Sequence, residues 1–268
     1  MRTNDIKELS IQIHLNGLSF CILNRTQNEI EFLKSYYFKQ DLTPIEVLEE
    51  LKLELSSNTA FSEDFNEVTV IHQNELSTLV PEALYNAEHK ADYLKFNSKI
   101  LRNDFITEDA IPINKSINVY VPYVNINNYI FDTFGAFVYK HSSSILITAY
   151  LELIEHTEDT KVFINVNKDS LEVIVVADKK LQLFNVFEFH SKEDFIYYVL
   201  FVFEQLQLDV ETVPIELAGK ITLGDELYII LYRYIRHVDF IEKEYNFAFN
   251  SSIDNRYLYQ DFLILNSF

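Results

Sequence analysis

The chain predicts an α/β fold of two similar halves around a cleft. Three observations carry this reading. Leu9–Val80 and Val162–Ile235 run through the same series of elements, β-β-β-α-β-α. Each series opens on a tight hairpin between apolar strands. Matching positions also keep their spacing: registering Gly17 on Ser170 gives an offset of 153 residues, and Phe38 on Phe189 gives 151. So small a change implies one short length difference in the second hairpin. Two α/β halves can also share such a pattern without a common origin.

In the first copy, Leu9–Leu15 and Leu18–Leu23 flank Asn16-Gly17. This dipeptide between apolar strands predicts a type I′ turn, which needs φ > 0 at both positions. Ile30–Phe38 reads as the third strand. Thr43 then serves as N-cap and Pro44 as first residue of a helix. Ile45, Val47, Leu48, Leu51 and Leu55 mark that helix's apolar face. Val68–Ile71 reads as a short strand, and Glu75–Tyr85 as a helix interrupted at Pro81.

In the second copy, Val162–Val166 and Leu171–Val176 flank Asn167–Ser170, and Leu181–Phe189 is the third strand. Ser191-Lys192-Glu193-Asp194 resembles a capping box opening the helix Asp194–Leu208. Val213–Leu217 and Asp225–Ile235 complete the series as strand and helix.

Between the copies, Ala87–Lys115 reads as a polar, irregular insert. Ile117–Tyr123 is an expected strand. Ile126–Phe134 is an expected helix closed by Gly135. Ala136–Lys140 reads as a strand, and Ser142–Ser144 cap a helix over Ile145–Ile154. Polar His156–Thr160 is the linker candidate, giving halves 1–157 and 158–268. After the second copy, Val238–Phe249 reads as extended and Tyr257–Leu265 as a terminal helix or strand.

Composition narrows the function classes. Across 268 residues, 41 acids against 22 bases give a net charge of −19. Such a surface repels phosphate backbones and anionic lipid, so neither nucleic acid nor membrane is an expected partner. Cys21, the one cysteine, lies in an apolar strand and suits inert core. Met1–Glu8 lacks the apolar run of a signal peptide. The longest apolar run, Phe195–Phe203, is nine residues, against ~20 for a membrane span. A cytoplasmic location is the expectation.

Several chemical motifs fall away. Gly219-Lys220-Ile221-Thr222 resembles the end of a P-loop, but Pro214 holds the place of its first glycine. The histidines (His14, His72, His89, His141, His156, His190, His237) show no metal-ligand spacing, so no metal site is expected. The acids Glu152, Glu155, Glu158 and Asp159 suit a solvated face.

The doubled hairpin-plus-strand unit resembles the actin-like ATPase superfamily (actin, Hsp70, sugar kinases), with its ribonuclease H-like fold. The phrases Leu79–Tyr85, Tyr93–Asn97 and Phe195–Tyr198 are similar to domain-of-unknown-function family 3822, a bacterial family with that fold. The resemblance also implies a relation to the actin-like subunits of pilus and secretion machines, which act largely as scaffolds. In working superfamily members each hairpin carries an Asp-x-Gly turn. Its glycine lets backbone N–H groups approach phosphate, and its aspartate organises Mg²⁺.

Here the first turn is Leu15-Asn16-Gly17-Leu18-Ser19, with leucine where the aspartate belongs. The second, Asn167-Lys168-Asp169-Ser170, has no glycine. Lys168 can meet a phosphate and Asp169 a hydrated cation; the same composition suits an ordinary polar turn. Val213–Gly219 resembles the superfamily's adenosine strand, with Ala218 replacing one glycine of its pair. Gly219 can equally serve only to leave the strand. The candidate nucleotide residues are therefore Gly17, Ser19, Lys168, Asp169, Ser170, Gly219 and Lys220. No catalytic residue is assigned, and the expected cofactor is none, or weakly held ATP with Mg²⁺.

The apolar stretch Phe195–Phe203 leaves its helix no polar face. Either the protein covers it on all sides, or one side meets a second copy or another protein, with Tyr197, Tyr198 and Phe201 as interface candidates. These residues favour a non-catalytic scaffold or adaptor with a degenerate nucleotide site. The alternative is an ATPase or kinase with an unorthodox phosphate site, which would have to manage without an acid at Leu15.

Overall fold

The computed structural model describes residues 5–96 and 98–268, apart from the side chain of Asn255. Met1–Asn4, half of the polar start, and Asn97, last residue of the Tyr93–Asn97 phrase, lie outside the described residues. The strands and helices are β1 (Lys7–His14), β2 (Gly17–Asn24), β3 (Glu29–Tyr37), α1 (Pro44–Ser57), β4 (Glu67–His72), β5 (Ser77–Pro81), α2 (Lys90–Leu94), β6 (Thr107–Ile111), β7 (Ser116–Tyr120), α3 (Val124–Phe134), β8 (Val138–His141) and α4 (Ser142–Leu153). There follow β9 (Lys161–Val166), β10 (Ser170–Ala177), β11 (Lys180–Glu188), α5 (Lys192–Gln205), β12 (Ile215–Gly219), α6 (Glu226–Tyr234), β13 (Val238–Phe240), β14 (Ala248–Phe249) and α7 (Phe262–Leu265).

The chain divides into two compact units. The first holds the described residues up to Leu146, with Tyr245–Asn255 and Leu263–Phe268; the second holds Ile147–Glu244 and Arg256–Phe262. The chain passes from one to the other inside α4, ahead of the polar segment 156–160.

Unit 1 carries the sheet β14-β3-β2-β1-β4-β8. Leu9, Ile11 and Ile13 of β1 alternate into a core shared with Phe20, Val70 and the buried Val47 and Leu51 of α1. That helix starts as its sequence dictates: Thr43 Oγ1 accepts from Glu46 N, while Glu46 accepts from Thr43 N at 2.8 Å. A separate three-stranded sheet, β5-β7-β6, packs Val80 and Val119 against Leu94 of α2.

Unit 2 repeats the scheme as β11-β10-β9-β12-β13. Its core gathers Val162, Ile164, Val173, Phe195, Val199 and Leu217. Tyr150 of α4 stacks on Phe163 of β9 at 4.4 Å and on Phe262 of α7 at 4.8 Å between ring centroids.

The duplication extends to single bonds. Phe38 N donates to Asn16 O at 2.9 Å, and Phe189 N donates to Asp169 O at 2.9 Å. The first partners differ by 151 residues and the second by 153, as the sequence spacing requires. Equivalent bulges sit at Ile22/Leu23 and Val175/Val176. The length difference lies in the turn after β2 and β10: β2 pairs to its end with β3 as Asn24↔Glu29, whereas β10 closes on β11 as Ala177↔Lys180.

Three expectations change. The type I′ turn is not at Asn16-Gly17 but at Asp178-Lys179, whose φ values are 51° and 61°. Outside bonds shape the first turn instead: Leu42 N and Phe38 N take the carbonyls of Leu15 and Asn16. Gly17 is needed for close approach, since a Cβ there would stand 2.5 Å from Tyr36 O. Second, Glu75–Tyr85 is not a helix; Ser77–Pro81 is a strand, because β7 supplies it with a partner. Third, the Ala87–Lys115 insert is not wholly irregular: it includes α2 and β6. Of the two readings open for Tyr257–Leu265, the helical one holds, as turns ending in α7, and Val238–Phe249 is paired as strand at β13 and β14.

On α5, Phe195, Ile196, Val199, Val202 and Phe203 face the core. Tyr198 is half-buried and stacks on Phe187 at 4.7 Å, whereas Tyr197 is 61% exposed and Phe201 40%. Tyr198→Asp therefore loses a stacked ring and buries a charge, an expected cost of roughly 2–4 kcal/mol in chemical denaturation. Tyr197→Asp should change stability by less than about 0.5 kcal/mol. Lys179→Gly relieves a left-handed backbone and should stabilise by about 0.5–1 kcal/mol.

Candidate functional site

In α/β sheets, ligands meet the C-terminal ends of the parallel strands. In unit 1, β1 and β4 are such a pair, ending at Ile13↔His72. The adjoining turn residues Leu15–Ser19 include no acid or base. Leu15 packs on the apolar core, and the Asn16 side chain bonds His14 Nδ1. Ser19 receives the Ser35 hydroxyl at 2.9 Å, and Gln12 Nε2 donates to Gln73 Oε1 at 2.8 Å.

The matching place in unit 2 is ionic. β9 and β12 end at Val166↔Gly219, so Gly219 occupies the position held by His72 in unit 1. Gly219 has φ +81°, and a Cβ on it would overlap Val166 O and stand 2.8 Å from Asn165 Oδ1. This glycine is therefore fixed by backbone geometry at the strand exit. Lys220 N donates to Val166 O at 2.6 Å. Burial lowers the Lys220 ammonium below its ordinary value; Lys168 lowers it further, and Asp169 acts the other way. Lys168, Asp169, Gly219 and Lys220 thus share one corner of unit 2. Ser170 adjoins them through its carbonyl, which accepts from Asn167 N at 2.8 Å. Gly17 and Ser19 belong to unit 1.

Beneath that corner lies a pair the sequence reading missed. Glu172 is 3% exposed and accepts from Asn165 Nδ2 at 2.6 Å and Asn167 Nδ2 at 3.3 Å. Its signal was available: one carboxylate among Leu171, Val173, Ile174, Val175 and Val176.

A second polar cluster in unit 1 also escaped sequence reading. Asp109 of β6 accepts from His141 N and Ser144 Oγ at 2.8 and 2.7 Å, and from Tyr120 OH at 3.0 Å. Burial raises the Asp109 carboxyl above its ordinary value against these donors. His141 Nδ1 accepts from Ser143 N, and its Nε2 donates to Asn74 O at 3.1 Å. His72 Nδ1 accepts from Tyr123 N, leaving Nε2 to donate to Asn127 Oδ1 at 2.9 Å. Burial pushes His72 down to about 4 and His141 down to about 3. Both are neutral, fully occupied groups at strand ends. Among the described residues no group of three or more His, Cys, Asp or Glu could hold a metal ion. None of the described helices is long and apolar enough to cross a membrane.

Comparison with solved structures defines the class. A protein of unknown function from Bacteroides thetaiotaomicron VPI-5482, with an actin-like ATPase fold, matches at TM-score 0.80 and 19% identity, over 98% of this chain and 97% of its own. The PilM-PilN type IV pilus biogenesis complex matches at TM-score 0.62 and 10% identity, over 96% of each chain. The ethanolamine utilization protein EutJ from Carboxydothermus hydrogenoformans matches at 0.51 and 6% identity, over 97% and 89%. The chain has the actin-like ATPase fold, as its duplicated elements predict.

The family follows from the sequence itself. Residues 2–238 match the model of the family described as "Protein of unknown function (DUF3822)", and the chain belongs to that family. A search of the curated proteins finds no match.

His72 and His141 give this protein a defined acid response. Their folded values lie below the ordinary 6.5. Their contribution is full above pH 6.5 and is lost as pH falls toward 4, because the unfolded chain binds these protons first. Asp109, raised by burial, offsets part of this loss as pH falls through its folded value. Urea denaturation from pH 7 to 4.5 should show a loss of a few kcal/mol, on the order of 1.4 kcal/mol per unit of displacement. His72→Gln should flatten the slope.

Proposed function

We propose that this chain is a non-catalytic, actin-like-fold scaffold or adaptor whose nucleotide site is degenerate. The carrying observation is the pair of hairpin tips. Phosphoryl transfer needs a metal-anchoring acid beside a phosphate-cradling turn. Unit 1 offers Leu15 packed on the core, and unit 2 offers Ser170 in the place of Gly17. Gly219, the best remnant of an adenosine strand, has a sufficient reason in the backbone it touches. The PilM-PilN complex, a likeness in fold alone, supports reading such a chain as a protein that holds protein partners. A cytoplasmic setting belongs to the same reading.

One observation favours a second reading, an ATP-binding enzyme. Lys168 and Lys220 lie near enough for one charge to act on the other, with Asp169 beside them, a grouping that suits an anion.

Titration calorimetry with ATP and Mg²⁺ separates the two. The scaffold reading expects no hydrolysis and a Kd no tighter than about 1 mM. Sub-micromolar binding abolished by the Lys168→Ala, Lys220→Ala double variant would overturn it. Gly219→Val is a poor probe, because its side chain would strain β9 and β12 directly.

A further inference from the structure

The duplicated halves differ at one sheet edge, and the difference points to a binding site. In unit 1 the outer strand β3 carries an added parallel strand, β14, from the chain's own later segment. Ala248 N donates to Asn28 O at 2.9 Å, and Asn250 N to Ile30 O at 3.0 Å. Asn28 presents its carbonyl from a left-handed conformation, φ 55°. Its counterpart in unit 2 is Lys179, φ 61°, and the counterpart of Ile30 is Leu181. The acceptor geometry that seats β14 on β3 is thus repeated at Lys179 and Leu181. Among the described residues no strand lies beyond β11.

The sequence of β11 fits an edge meant to be covered. Open edges are usually guarded by charge, proline or brevity. β11 is nine residues long, and its span 181–187, Leu-Gln-Leu-Phe-Asn-Val-Phe, has no charge, proline or glycine. The already covered β3 includes Glu29, Glu31 and Lys34. Phe189 N points to Asp169 O, just ahead of β10, so strand alternation turns the N–H groups of Val186 and Phe184 outward. The one at Val186 is held by Asn185 Oδ1 at 2.9 Å.

We propose that β11 is a strand-addition site for an extended segment of another protein, running parallel to β11 as β14 runs to β3. Such a segment donates N–H groups to Lys179 O and Leu181 O and receives the Leu181 N–H. The pattern that fits is that of the segment leading into β14, alternating aromatic residues such as Tyr245, Phe247 and Phe249. A neutral or basic segment is selected over a second copy, because each copy carries a net charge of −19 and two would repel. This site does not depend on whether Lys168 and Lys220 meet a nucleotide.

The test uses the full chain and a fluorescent peptide of residues 243–251, the segment that contains β14. Anisotropy should show saturable binding in the range of about 10–500 µM, weakened at least about tenfold by Leu181→Pro, which removes an outward donor. Residue-resolved hydrogen exchange on the wild-type chain guards against a variant that fails to fold. There the peptide should slow the Leu181 and Phe184 amides several-fold. No binding, binding indifferent to Leu181→Pro, or slowing at Ile30 alone (exchange of the peptide with β14) would overturn the proposal.

Discussion

Each half of this protein depends on one backbone bond thrown across the tip of a three-stranded meander. The donors are Phe38 and Phe189; the acceptors are Asn16 and Asp169. An antiparallel meander alone is free to slip, and a slip of one residue turns every core side chain outward. The tip bond fixes the end of the third strand over the first turn, and the bulges at Ile22/Leu23 and Val175/Val176 fix the other end. With register set at both ends, Leu9, Ile11 and Ile13 in one half and Val162, Ile164 and Val166 in the other must face their helices.

The same scaffold carries two different electrostatic characters. At the unit 1 tip, amides and hydroxyls pair among themselves around Gln12, Ser19 and Gln73. At the unit 2 tip, Lys168, Asp169 and Lys220 stand over a buried Glu172 held by two asparagines. A polar group so enclosed needs hydrogen-bond donors, and Asn165 and Asn167 supply two of them.

Much of this was legible from local chemistry. Thr43-Pro44 and Ser191 opened helices because capping is decided within four residues. The duplication was legible because spacing survives when identities do not. What failed was decided at long range. Leu76, Leu79, Val80 and Leu84 fall at helical spacing, yet β7 pairs the segment as a strand. Thr107–Ile111 reads as loop because Glu108 and Asp109 interrupt it; Asp109 faces inward to donors from β8, α4 and β7, namely His141 N, Ser144 Oγ and Tyr120 OH. The Asn16-Gly17 tip matched a familiar dipeptide, but tertiary bonds to its carbonyls set a different turn. Of the candidate residues, Lys168, Asp169, Gly219 and Lys220 fall at one corner of unit 2; their spacing in the chain could not show that Val166 leaves Gly219 no room for a side chain.

The return of the chain to its first unit has a consequence for synthesis. β14 and the last turn, where Ser267 bonds Ser10, belong to unit 1 but emerge from the ribosome after all of β9–β13. Until then β3 stands as a bare flank on a nascent chain, open to any passing extended peptide. The earlier-made unit therefore finishes last, and truncation shortly before Tyr245 would leave it incomplete while sparing the strands of its twin.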